Sequence, residues 1–306
     1  MRVLFLSLFY TILIMNGNTN IVENQQTTLL RDKTRSEKRI HEIDFVRGFC
    51  MLLVFMDHLF WNFRYFGYMW SFSSSPDVAA FFTRASENAG FYWGHPFRSL
   101  VRVAVLFTFL FVSGISTAFS KNNYKRAAQM LVFYFVIQIG TNLINPYWVE
   151  TFGSDALINF NVIGVVALSV LAYSFFHEKS WRSLVIITFL LGIFYLMVLP
   201  FIHKDLSTNH SGAFNYINVW PLWQSNNTMN HEADYMPLFP YIITFFLGAL
   251  FSRFAYTKRK SYFGKMKFWE KPICFIGRHS MIFYLAHQII FVGLFALVGT
   301  LTGWGI

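Results

Sequence analysis

Four residues in one apolar stretch are of types that could do chemistry together. Asp44, Arg47, Asp57 and His58 fall between positions 43 and 63, in a run otherwise rich in Phe, Leu, Met and Val. An imidazole can act as general base or covalent carrier, and a guanidinium can hold a phosphate. At about 100° per residue, the steps from Arg47 to His58 bring the two within about 20° of one face, about 16 Å apart in rise. Asp44 falls within about 60° of Arg47 on the same reckoning, and Asp57 lies off to one side. Each such group near a bilayer centre costs about 3 kcal/mol on insertion scales, so each needs a reason. Plainer readings stay open: Arg47 snorkelling beside Asp44, a structural His58 with its own partners, and Asp57 solvated at the outer interface.

A second polar stripe lies near the end of the chain. Gly277-Arg278-His279-Ser280 leads into an apolar run in which Ser280, Tyr284 and His287 share one helical face. The plainer reading makes Ser280 a cap, puts Arg278 and His279 at the interface, and gives His287 a packing role. Thr141, Asn142 and Asn145 are expected opposite Asn159 and Asn161, where interhelical hydrogen bonds are their commoner use. Ser113-Gly114-Ile115-Ser116 reads as small-residue helix packing. His95, His203, His210 and His231 lack ligand spacing, so no metal site is expected.

The elements that position these residues follow from composition. Of 306 residues, 55% are hydrophobic and only 13% charged, where a soluble domain carries roughly a quarter charged. Apolar runs near the ~20 residues a bilayer requires cover 43–63, 99–119, 127–145, 156–176, 183–201, 236–256 and 280–300. The expected fold is all-α: a polytopic transmembrane helix bundle of about seven spans. Residues 3–15 form an additional, shorter apolar run, read as a short extra helix or an upstream extension. The domain reading is an extension over 1–38, with its basic stretch, and a membrane domain over 39–306.

Charge sets the expected orientation. Segments 16–42, 120–126, 177–182 and 257–271 hold sixteen of the 25 Lys and Arg residues, and the alternate loops hold four. The positive-inside rule makes the first group cytoplasmic and sends the long loops 64–98 and 202–235 outside. The net charge of +10 is thus a topology signal, and no nucleic-acid partner is expected. Cys50 and Cys274 are too isolated for a disulfide framework or zinc spacing.

The stretch from Arg39 to Gly48 (RIHEIDFVRG), running on to His58, resembles the opening helix of bacterial heparan-alpha-glucosaminide N-acetyltransferase-like membrane proteins. The spacing of Arg47 and His58 is similar to the Arg-x10-His motif of the related acyltransferase-3 family. Residues 109–116 (FLFVSGIS), 234–248 (DYMPLFPYIITFFLG) and 277–288 (GRHSMIFYLAHQ) carry the likeness further, so that it covers roughly 39–290.

The resemblance implies a plasma-membrane enzyme that passes an acetyl or other acyl group from cytoplasmic acyl-CoA to an outer sugar or glycan. Acetyl-CoA or another acyl-CoA is then a co-substrate, with the lipid bilayer as surroundings and no metal; a homo-oligomer is compatible with it. Under that reading His58 and Asp57 are the catalytic candidates, and Arg47, Asp44, Arg278 and His279 bind the donor. His287, Tyr284, Asn142, Asn159, Asp234 and His95 are candidates for the cavity and acceptor. A histidine stands in the animal enzyme's first loop, and His95 is the candidate counterpart. Asp57 cannot orient the ring of its neighbour by simple helical geometry, which makes Asp234 one candidate for that role. The competing reading is a secondary transporter using the same buried groups for substrate or proton coupling. The paired repeats and helix breaks that often mark transporters are not found in the sequence.

Overall fold

The computed structural model describes residues 40–73, 75–152, 157–158, 160–176, 180–204, 236–257, 260–262 and 266–303. The expectations placed on residues 1–38, Asn159, Asp234 and most of the 202–235 loop lie outside the described residues. The chain divides into two units, residues 1–42 with 258–265, and residues 43–257 with 266–306. In the first, the Glu42 carboxylate accepts from the Ser261 hydroxyl at 2.5 Å and from the Tyr262 backbone N–H at 2.8 Å.

Among the described residues there are nine α-helices: α1 (His41–Phe66), α2 (Pro76–Gly94), α3 (Pro96–Ala118), α4 (Asn123–Phe152), α5 (Val162–Ser174), α6 (Trp181–Lys204), α7 (Tyr241–Ala255), α8 (Glu270–Arg278) and α9 (Ser280–Thr302). A 3₁₀ turn, Gly67–Phe72, joins α1 to α2. Four stretches are long and apolar enough to cross a membrane: Pro96–Ala118, Asn123–Glu150, Trp181–Val198 and Ser280–Thr302. Their outward side chains, among them Val136, Leu143, Phe189, Met197, Ile289 and Leu301, are large, apolar and exposed, as a lipid-facing surface requires. The protein is an integral membrane protein.

Several expected boundaries are corrected. The loop expected over 64–98 is largely the helix α2, started by Pro76 at a position that needs no N–H. The runs over 156–176 and 236–256 form helices of only 13 and 15 residues. Asn161 caps the first of them: its side chain accepts from the backbone N–H groups of Ile163 at 3.1 Å and Gly164 at 3.2 Å. Apart from Leu168, Leu171 and Ala172, the residues of α5 are buried, because its apolar surface meets protein rather than lipid. The short helix α8 falls in a region read only as a basic loop and its exit.

The main core joins α3, α4, α5 and α7 through Leu110, Tyr134, Val165, Val170, Phe245 and Phe246. The α3–α7 crossing depends on two glycines. A Cβ on Gly114 would sit 1.9 Å from the Phe245 carbonyl oxygen, and one on Gly248 would sit 1.9 Å from that of Phe111. Backbones in such contact gain dispersion energy without hydrophobic drive, and the small-residue reading of 113–116 finds its partner helix here. At the far end of α1, Trp70 donates to the Thr302 hydroxyl at 2.6 Å, and its ring stacks on Phe82 at 3.9 Å between centroids. Gly114→Val is expected to force α3 and α7 apart and cost about 1–3 kcal/mol by overpacking. A lowered melting temperature of the purified variant in detergent checks this, and an unchanged one would contradict the crossing.

Candidate functional site

One open, mostly apolar cavity brings the reactive residues of several helices together. It lies between α1, α2, α3 and α9 with a volume of about 80 Å³, and Asp57, His58, Tyr92, Arg98, Arg102 and Tyr284 contribute its polar lining. The face of α1 from Met51 to His58 forms one wall, while α3 supplies Val101, Val105 and Phe109 opposite.

His58 is oriented by its own helix. Its Nδ1 lies 2.9 Å from the Val54 carbonyl oxygen, which can only accept. Nδ1 therefore carries the proton, and in the neutral ring Nε2 keeps a lone pair. His287 repeats this arrangement, with Nδ1 2.6 Å from the Tyr284 carbonyl oxygen. The two rings meet edge to face at 4.6 Å between centroids, and Phe55 stacks on His287 at 5.4 Å. His287 is 6% exposed, and its Nε2 has no hydrogen-bond partner among the described residues. Asn62 sits one turn beyond His58, donating to the His58 carbonyl at 2.7 Å and towards Gln288 at 3.4 Å.

Asp57 has partners on two other helices, which the sequence did not show. Arg98 grips its carboxylate in a fork, Nε to Oδ1 at 2.7 Å and Nη2 to Oδ2 at 2.6 Å. The Tyr92 hydroxyl donates to the same Oδ1 at 3.1 Å, and the Arg98 guanidinium lies 3.6 Å over the Trp93 ring. Burial, then the charge of Asp57, push the Tyr92 hydroxyl above its ordinary pKa, so it stays a donor. Sequence reasoning missed both Arg98 and Tyr92. The one available signal was an arginine at the head of an apolar helix, a position that needs a partner.

The remaining candidates spread around this centre. Arg47, 8% exposed, lies off the cavity lining and donates to the Ser116 hydroxyl and, at 3.5 Å, to the Gly277 carbonyl. Asp44 pairs with Arg278 at 3.7 Å, while His279 is half-buried with Nδ1 3.1 Å from the Phe275 carbonyl. His95 is exposed at the head of α3, where its ring accepts from the Phe97 N–H at 3.2 Å. Asn142 is exposed, donates to the Gln138 carbonyl of its own helix at 2.7 Å, and does not line this cavity. Among the described residues, no group of three or more His, Cys, Asp and Glu could hold a metal ion.

The Asp57–Arg98 pair yields a stability prediction. Arg98→Leu leaves a half-buried carboxylate without its cation and is expected to cost about 2 kcal/mol, whereas Asp57→Leu combined with Arg98→Leu should recover most of it. Thermal melts of the single and double variants decide this, and a double variant no better than the single would exclude the pairing.

The family model described as heparan-alpha-glucosaminide N-acetyltransferase, catalytic, matches residues 80–289. The match takes in Tyr92, His95, Arg98, Tyr284 and His287, and begins beyond Asp57 and His58. No curated protein and no solved structure matches this chain.

Proposed function

Because the chain belongs to the heparan-alpha-glucosaminide N-acetyltransferase catalytic family, we propose that the cavity at His58 is where its acetyl group changes hands. The protein is a membrane acetyltransferase, an enzyme rather than a transporter, and acetyl-CoA is its family's donor. The observation that carries the proposal is the pair of imidazoles at 4.6 Å, each with Nδ1 tied to a carbonyl.

The chain's own groups fit amide formation. An acceptor amine in the cavity attacks the thioester carbonyl carbon, so that a C–N bond forms as the C–S bond breaks. Nε2 of His58 takes the proton released by the nitrogen and returns it to the departing sulfur, which leaves as a thiol. The same ring could carry the acetyl group covalently between two transfers. His287 packs edge to face against His58 and limits the turning of its ring. Asp57, fixed by Arg98 and Tyr92, presents a carboxylate at the cavity wall that suits the hydroxyl and amino groups of a sugar.

Orientation belongs to the same proposal. Seven helices lie in the bilayer, α1 among the long ones and the shorter α5 and α7 packed between them, with the basic loops cytoplasmic and the 64–98 and 202–235 regions outside. The length of α1, 26 residues or about 39 Å, exceeds the ~30 Å hydrocarbon core. Donor from the cytoplasm and an amino sugar or glycan from outside would then meet midway along it, in the plasma membrane.

Two measurements test the reading. His58→Ala is expected to lower acetyl transfer to glucosamine at least about 100-fold while the folded variant still binds CoA. Wild-type turnover by a well-folded variant would end the proposal. A cysteine replacing Glu87 on α2 should react with an impermeant maleimide in intact cells, whereas one replacing Lys121 should not; Cys50 and Cys274 are buried and give little background. The reverse pattern would invert the topology.

A further inference from the structure

Arg126, near the start of α4, has a charge that its neighbours among the described residues leave unanswered. Its Nη1 reaches the Thr117 hydroxyl at 3.4 Å, and that long bond is its one hydrogen bond among the described residues. The salt bridges of the described residues engage Glu42, Asp57 and Asp44, none of them with Arg126. The charge that does reach Arg126 is another cation, Arg47. The two guanidiniums are held on consecutive hydroxyls of α3, Arg47 on Ser116 and Arg126 on Thr117.

A partly buried guanidinium beside a second one is costly on two counts. Removal from water penalises each charge, and their mutual repulsion adds to it. A guanidinium offers five donors, of which Arg126 uses one over a long distance. An anion with several oxygens relieves both costs at once, and a phosphate matches the planar fork of arginine. We propose that Arg126, together with Arg47, receives a phosphate group, that of the CoA moiety of the acyl donor.

The proposal rests on the acetyl-CoA-dependent reading above and extends it to a residue outside the transfer cavity. Position supports it. Arg47 stands eleven residues before His58 on α1, about 16 Å along the axis, a distance suited to an extended pantetheine arm. A phosphate held at Ser116 and Thr117 would leave the thioester free to reach His58. A phosphate of a lipid headgroup has the same chemistry, and the experiment separates the two sources.

CoA binding is measured by calorimetry on purified wild-type, Arg126→Gln and Arg126→Lys proteins in detergent, with melts to verify folding. The expected result is binding weakened at least about tenfold in Arg126→Gln and less in Arg126→Lys, which keeps the charge and loses the fork. Turnover lost by Arg126→Gln should return as acetyl-CoA is raised. In a second arm, the proteins are melted in phosphatidylcholine vesicles with and without phosphatidylglycerol. Wild-type CoA affinity in Arg126→Gln, with loss of the stabilisation that phosphatidylglycerol gives the wild type, would assign the phosphate to lipid and overturn the donor assignment. Wild-type behaviour in both arms would mean that no anion is received there. Should Arg126→Gln fail to fold, Arg126→Lys decides: CoA affinity equal to that of wild type rejects the proposal. His58→Ala binding CoA normally yet failing in transfer leaves this inference standing, and an active His58→Ala overturns the cavity reading alone.

Discussion

A polar group on a helix inside a bilayer must find its partner within the protein, because lipid offers none. That constraint organises the second unit around α1. Level by level, its polar residues reach for different neighbours: Arg47 for the Ser116 hydroxyl of α3 and the Gly277 carbonyl of α8, Asp57 for Arg98 and Tyr92, Asn62 for Gln288 of α9. None of these ties adds much net stability, since the desolvation of each member offsets its attraction. Breaking one is costly, however, because a charge is then left alone. The ties therefore fix the register of α1 against its neighbours more than they strengthen the bundle.

Register also depends on how closely backbones approach. A Cβ on Gly48 would lie 1.9 Å from the Ile273 carbonyl oxygen, and one on Gly277 would lie 1.8 Å from that of Asp44. This contact brings the end of α8 onto α1, where the Arg47 side chain can span to the Gly277 carbonyl. Sterics at the glycines and hydrogen bonding at the arginine thus act on the same crossing. The α3–α7 crossing does the equivalent for the opposite wall, setting the helix that carries Arg98 against a core of Phe245 and Phe246.

Helical period made shared faces legible in the sequence, and one of them, Tyr284 with His287, meets His58 in space. Asp44 and Arg47 lie at one end of α1 and His58 at the cavity, while Tyr284 and His287 of α9 meet it there. Period states which residues of one helix lie together, but not which helix they will face. The 41-residue separation of Asp57 and Arg98 left no such trace, so the sequence assigned Asp57 no partner. Hydropathy has a similar blind spot. It reports that a segment avoids water, not whether lipid or protein replaces it, so the buried, 13-residue α5 read as a full span. The helix α2 was hidden for the opposite reason: it is too polar for a span and lies among loop-forming residues such as Ser73, Ser75 and Pro76.

The cavity combines two contributions of different standing. The matched family range supplies α3, the Arg98 grip and the His287 side, whereas His58 and Asp57 come from α1, ahead of that range. Neither half makes the cavity alone. Without α1, Arg98 has no carboxylate to grip and His287 no ring to meet. Without α3 and α9, Asp57 is a charge without a counterion and His58 faces lipid. The polar ties that hold α1 in register are also what aligns these two halves. In this protein the satisfaction of buried polar groups and the assembly of the cavity are one structural event.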